Sequence, residues 1–237
     1  NQSKKYLTFN SNNKNKRVIN PYGVSILAQA FEQNWKLQGE FKYHLTINKK
    51  NQKIDFRLFG GYFLINDNVG TERFRLTSGS GNLIASSDLD IFAFNTHDYL
   101  FDQTMIGRFN SKGKSLASQQ IYLNDAAFKT GINYGLSSDW LIATNLTIPT
   151  PTKYISFFLD IGTNQGIIDN YRQDGNKVPV LYDIGLQVNI IKNYFEIYFP
   201  LKYSTELGDN YELNGADKYL NKIKFMFNIN ELYNLYQ

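Results

Sequence analysis

The residues that could do chemistry are few and scattered. His97-Asp98, with Asp88, Asp90 and Asp102 nearby, is the one place where a base or an acidic metal cluster is conceivable. Adjacent side chains on a strand point to opposite faces, so this pair does not converge, and a strand end or loop is the expected setting. Asn66-Asp67-Asn68 and the stretch from Asp169 through Asp174-Gly175-Asn176 hold oxygen ligands, but not at the odd positions, nor with the closing Glu, of a calcium loop. Both read as turns, because Asn, Asp and Gly tolerate turn dihedrals. Ser78-Gly79-Ser80-Gly81 lacks the lysine of a phosphate loop and reads as a connector. The two histidines, His44 and His97, complete no zinc motif, and the absence of cysteine excludes thiolate chemistry and disulfides. No catalytic residue, cofactor or metal is expected.

The elements around these residues carry a clearer message. The dominant pattern is period-two alternation, which gives a strand one apolar and one polar face. Over 34–48, Trp35, Leu37, Phe41, Tyr43, Leu45 and Ile47 share a face, opposed by Lys36, Gln38, Glu40, Lys42, His44 and Thr46. In 53–65, Ile54, Phe56, Leu58, Tyr62 and Leu64 oppose Asp55 and Arg57. In 180–191, Tyr182, Ile184, Leu186, Val188 and Ile190 oppose Asp183, Gly185, Gln187 and Asn189. In 194–204, Phe195, Ile197, Phe199, Leu201 and Tyr203 share a face. In 221–230, Ile223, Phe225, Phe227 and Ile229 oppose Lys222, Lys224, Met226 and Asn228. Weaker alternation marks 71–78, 86–96, 103–110, 117–124, 137–148 and 153–163. Segment 22–30 is a possible first strand, with a helix as a fair rival over 22–33.

The chain has 237 residues, 42% hydrophobic and 16% aromatic, which argues against intrinsic disorder. The formal charge is +4, concentrated in Lys-Asn runs at Asn12 to Arg17 and Lys49 to Lys53. No nucleic-acid motif accompanies them, so they read as solvated turns near an anionic surface. No apolar run approaches the ~20 residues of a spanning helix. The start shows no signal-peptide pattern, as expected of a mature or truncated product.

Connectors alternate from 137 onward: a tight Pro149-Thr150-Pro151-Thr152, a long polar loop at 164–179, a tight 191–193, and a long 205–220. Short turns on one side and long loops on the other are the habit of outer-membrane barrels. Long strands, a charged face, and aromatics at strand ends (Trp35, Tyr43, Tyr62, Tyr99, Phe101, Trp140, Tyr154, Tyr182, Tyr194, Tyr203) point the same way. The expectation is an all-β, antiparallel transmembrane β-barrel of about twelve strands, within a range of about ten to fourteen. Residues 1–21 are a polar segment or linker, 22–232 the barrel and 233–237 a tail. The lipid-facing set is Leu37, Phe41, Leu45, Phe56, Leu58, Ile184, Leu186, Val188, Ile197, Phe199, Ile223, Phe225 and Phe227. Glu40, Lys42, Asp55, Arg57, Asp183, Lys222 and Lys224 are the interior charges, forming a plugged lumen or, alternatively, a selective channel.

Several stretches resemble the C-terminal barrel region of Bacteroidota outer-membrane proteins, especially M1-family metallopeptidase-like proteins with a barrel after the peptidase domain. They are Arg57-Leu58-Phe59-Gly60-Gly61-Tyr62-Phe63, Asp98-Tyr99-Leu100-Phe101-Asp102, Gly107-Arg108-Phe109, Ser118-Gln119-Gln120, Asn124-Asp125, Phe128-Lys129, Ser138-Asp139-Trp140-Leu141, Asp160-Ile161-Gly162-Thr163, Tyr182-Asp183-Ile184-Gly185, Phe195-Glu196-Ile197-Tyr198-Phe199-Pro200-Leu201 and Lys222-Ile223-Lys224-Phe225. The resemblance spans roughly residues 33–232 and contains no His-Glu-x-x-His. It implies an outer-membrane anchor or scaffold for other domains or subunits, in contact with outer-membrane lipid and without hydrolytic activity. A small porin-like channel is the second reading, and a soluble secreted carbohydrate-binding β-protein the third.

Overall fold

The computed structural model describes residues 6–31, 33–47, 52–67, 73–76, 121, 123, 125–130, 134–175, 178–213 and 218–227. Alternating segments become long strands: β1 (Tyr6–Asn15), β2 (Tyr22–Phe31), β3 (Asn34–Thr46), β4 (Lys53–Ile65), β7 (Trp140–Pro149), β8 (Ile155–Asn164), β9 (Leu181–Ile191), β10 (Phe195–Tyr203) and β11 (Lys224–Phe227). They form one nine-stranded sheet in the order β1-β2-β3-β4-β7-β8-β9-β10-β11. Every pair in it is antiparallel. Two short strands, β5 (Phe74–Arg75) and β6 (Leu136–Ser137), form a separate antiparallel pair. No described helix is long and apolar enough to cross a membrane.

The sheet has two unlike ends. At one, strands are joined by the short connectors 16–21, 47–52, 150–154 and 192–194. At the other, beside the tight 32–33, lie the insert 66–139 and the connectors 165–180 and 204–223, which carry α1 (Gln165–Gln173), α2 (Thr205–Leu213) and α3 (Tyr219–Lys222). We call these the turn end and the loop end. The sheet curls strongly: Lys14 and Asn15 of β1 line the same cavity as Lys192 and Asn193 of the β9–β10 turn. Among the described residues it does not close. With nine antiparallel strands, β1 and β11 run the same way, so their direct union would be parallel. An all-antiparallel closure needs an odd number of further strands between them.

Several expectations change. Residues 6–15 are not a linker but a strand, paired over ten residues with β2. Only Leu7 and Phe9 carry an apolar signal there, so the backbone ladder rather than side-chain alternation defines it. Segment 22–31 is a strand, not a helix. The loop 164–179 contains α1, started by Asn164, whose side chain accepts from the Ile167 amide, and anchored by buried Ile167. The acidic stretch at Asp169 is therefore helical, and the turn comes only at Gly175. The loop 205–220 likewise contains α2, held by Leu207 and Tyr211 one turn apart on its buried side. Lys222 ends α3 and Ile223 precedes β11, so neither holds its expected strand position. A register shift between Pro200 and Lys202 turns Tyr203 away from Leu201's face and sets it opposite Asp183. Of 71–78 the described residues are 73–76, and within them Phe74–Arg75 is strand. Segments 86–96 and 103–110, the strand aromatics Tyr99 and Phe101, His97-Asp98 with Asp88, Asp90 and Asp102, and Ser78-Gly79-Ser80-Gly81 lie outside the described residues, as does most of 117–124.

Candidate functional site

The two faces of the sheet differ: the outer one is apolar and accessible, and the inner one holds buried charges as well as apolar side chains. Leu37, Phe41, Leu45, Phe56, Leu58, Ile184, Leu186, Val188, Ile197, Phe199, Phe225 and Phe227 share the outer face, and none enters a buried core. Leu37, Leu45 and Leu58 are about 40% exposed, and Ile142 and Phe157 about half. The opposite face holds fully buried Asp160 and Asp183, and nearly buried Lys36, Asn145, Gln187, Glu196 and Lys224. Soluble proteins bury apolar groups and leave charges in water; here the sheet turns its charges inward.

What covers those charges is chain from the 66–139 insert. Residues 125–130 are buried one after another, with Ala126, Phe128 and Thr130 wholly so. Ahead of this run the Ile121 amide donates to the Phe225 carbonyl of β11 at 2.8 Å, and Ile121 packs with Phe158 and Tyr198. Within it, Lys129 reaches β8. Its Nζ donates to Asp160 Oδ1 and its amide to Asp160 Oδ2, each at 2.9 Å. Asn145 on β7 donates to the same Asp160 Oδ1 at 2.9 Å and to the Ala126 carbonyl at 2.8 Å. Asp125 accepts from the Arg75 amide at 2.8 Å, which ties the two halves of the insert together. These bonds tie the segment to β7 and β8.

Toward the loop end the interior is apolar. Phe74, Leu76, Ala126 and Phe128 of the insert pack with Phe31, Phe59, Phe63, Leu141 and Leu181 of the wall and with Ile167, Leu207 and Tyr211 of the helices. The wall makes room with glycine. A Cβ on Gly61 would meet the Phe74 ring at 2.3 Å, and one on Gly162 would meet Leu76 at 2.7 Å. Phe74 in turn lies edge-on to Phe59 and Phe63, with ring centroids 6.1 and 5.0 Å apart. At the helical rim, burial pushes the Tyr211 phenol well above its usual range, with Asp183 adding to the shift; burial and Glu206 push Tyr134 up.

Toward the turn end the interior stays polar and opens into cavities of about 310, 370 and 470 Å³. There Glu40 accepts from Arg57 Nε at 2.5 Å and Lys42 Nζ at 2.7 Å, and Arg57 also donates to Asn145 at 2.8 Å. His44 Nδ1 lies 2.5 Å from Asp55, and Lys192 Nζ 3.6 Å from its other oxygen. Thus Glu40, Lys42 and Arg57 meet in one cluster, while Asp55 lines the same cavity and is engaged by His44 and Lys192 instead. Asp183 is inward and faces Asp160 across the β8–β9 ladder. Lys224 is inward, opposite Tyr198. Lys222 is not on the strand, though its Nζ reaches the Tyr203 hydroxyl at 2.8 Å. The alternation pattern assigns no role to Lys129, Asp160 or Asn145, the centre of the network, although Lys129 and Asp160 fall in stretches that carry the resemblance. The only local hint is a lone acid amid Phe157, Phe158, Leu159 and Ile161. Among the described residues no cluster of His, Asp or Glu could hold a metal ion.

No family model matches this chain, and neither the curated proteins nor the solved structures contain a significant match to it.

Proposed function

We propose that the chain is an outer-membrane β-barrel, closed by further strands between β1 and β11, that serves as a non-catalytic anchor or scaffold whose lumen is stopped by its own insert. The observation that carries this reading is the accessible apolar outer face with charges buried on the other side of the sheet. An apolar outer band with buried charges behind it suits acyl chains outside and a polar interior within. Aromatic placement supports it. Trp35, Tyr62 and Trp140 lie at the loop end of the outer face, with Tyr62 paired to both Leu37 and Trp140. Tyr22, Tyr43 and Phe56 are successive cross-strand partners at the turn end. Trp35 and Tyr43 are ~27 Å apart along β3, or roughly 20 Å across the layer at barrel tilts, close to the height of an outer-membrane apolar band. Tyr194 and Tyr203 do not join these girdles: Tyr194 is buried on Phe227, and Tyr203 packs on Tyr211. The apolar stopper favours an anchor over a porin-like channel, and the greasy outer face favours lipid over a soluble carbohydrate binder. On this reading the turn end faces the periplasm, and the resemblance to Bacteroidota outer-membrane barrels belongs to the same proposal.

The test is Leu58→Arg, at mid-band on β4. In lipid vesicles it destabilises the folded chain by about 2–4 kcal/mol, because the guanidinium meets hydrocarbon. A change within about 0.5 kcal/mol, the usual cost at a water-exposed surface position, overturns the proposal.

A further inference from the structure

The Lys-Asn runs that the sequence offers only as solvated turns converge on one concave wall. Lys14 comes from the end of β1, Lys16 from the connector just after it, Lys53 from the start of β4, Lys42 from β3 and Lys192 from the β9–β10 turn; together with His44 and Asp55 they line the cavity of about 470 Å³ at the turn end. Lys14, Lys42 and Lys53 project from the inner face of their strands, so these charges look into the mouth and not toward the outer apolar band. Five lysines confront one lining carboxylate. Asp55 is already engaged by His44 and by Lys192, and the neighbouring Glu40 is shared between Lys42 and Arg57. Lys14, Lys16 and Lys53 have no ion-pair partner among the described residues. A cleft lined by one sign of charge concentrates the opposite sign, and compact ammonium groups on mobile stems suit oxyanions.

We propose that this mouth binds a small multivalent oxyanion, of phosphate or polycarboxylate type, entering from solvent at the turn end. The cavity volume is that of a small-molecule site. The lysines come from the edge strand β1, from β3 and β4, and from the β9–β10 turn, so a bound polyanion would bridge β1 to that turn. The inference does not depend on what covers the outer face.

The experiment is calorimetric titration of the full chain, in whatever detergent or buffer keeps it folded, with inorganic tripolyphosphate and separately with citrate. Saturable binding of either is expected, weaker at about 0.2 M than at about 0.05 M salt because the site is solvent-screened. The paired variant Lys14→Gln/Lys192→Gln, which strips one cation from each side, should weaken binding about tenfold or more. If that pair does not fold, Lys192→Gln alone, at an exposed turn position, should weaken it several-fold. Lys218→Gln at the loop end should leave it unchanged. No saturable binding of either anion, an equal loss in Lys218→Gln, or binding of an acidic peptide with neither small anion overturns the proposal.

Discussion

Replacing Lys129 by Met tests how the insert is held. The Lys129 ammonium and the Asp160 carboxylate are 2.9 Å apart, at 7% and 0% side-chain exposure. At an effective dielectric of about 20, their gross attraction is roughly 6 kcal/mol, most of it offset by the desolvation of both charges. Methionine keeps most of the volume and removes the charge, leaving Asp160 beside Asp183 with no cation on it. Breaking one side of such a pair costs about 3–5 kcal/mol, a large share of the ~5–15 kcal/mol that holds a typical domain folded. The double variant Lys129→Met/Asp160→Asn should recover most of that loss. The side-chain carbonyl at 160 can still accept from the backbone amide at 129, at the expense of the bond from Asn145, and the orphaned charge is gone. The assay is urea unfolding in lipid vesicles followed by tryptophan fluorescence, completed as a double-mutant cycle, with planar-bilayer current as a second readout. Wild type should pass no current, and Lys129→Met should show openings as the insert loosens. If Lys129→Met unfolds within about 1 kcal/mol of wild type and stays silent, the ion pair is not what seats the insert.

Gly61→Ala places a methyl in the Phe74 ring and should cost about 1–3 kcal/mol in the same unfolding assay. Gly60→Ala, whose Cβ would meet nothing within 4 Å, serves as the control, and equal effects would refute the close-approach argument. Tyr211→Phe removes a buried hydroxyl that has no hydrogen-bond partner among the described residues, so at neutral pH it should be neutral or stabilising. The raised Tyr211 phenol also sets the sign of the alkaline limb: the unfolded chain loses its proton first, near pH ~10, so stability present below that pH falls as pH rises further. A destabilised Phe variant at pH 7, or an alkaline limb as steep as wild type's, would count against this account.

Alternation along 34–48, 53–65, 180–191 and 194–204 determined those strands and, up to the irregularity between Pro200 and Lys202, which face their side chains take, because a pleated backbone imposes a period of two. The inward placement of Glu40, Lys42, Asp55, Arg57 and Asp183 was legible for the same reason. Residues 6–15 were not, since a polar strand leaves no periodic trace and exists through its ladder with β2. The helices at 165–173 and 205–213 were hidden in stretches rich in Asn and Gly, and formed where a few apolar residues found the interior. Tertiary structure alone decided that Lys129 meets Asp160, that Phe74 fills the space over Gly61, and that Lys14 stands near Lys192. Those groups lie far apart along the chain. Only the curl of the sheet and the path of the insert bring them within reach, and no local pattern encodes a distance across a fold.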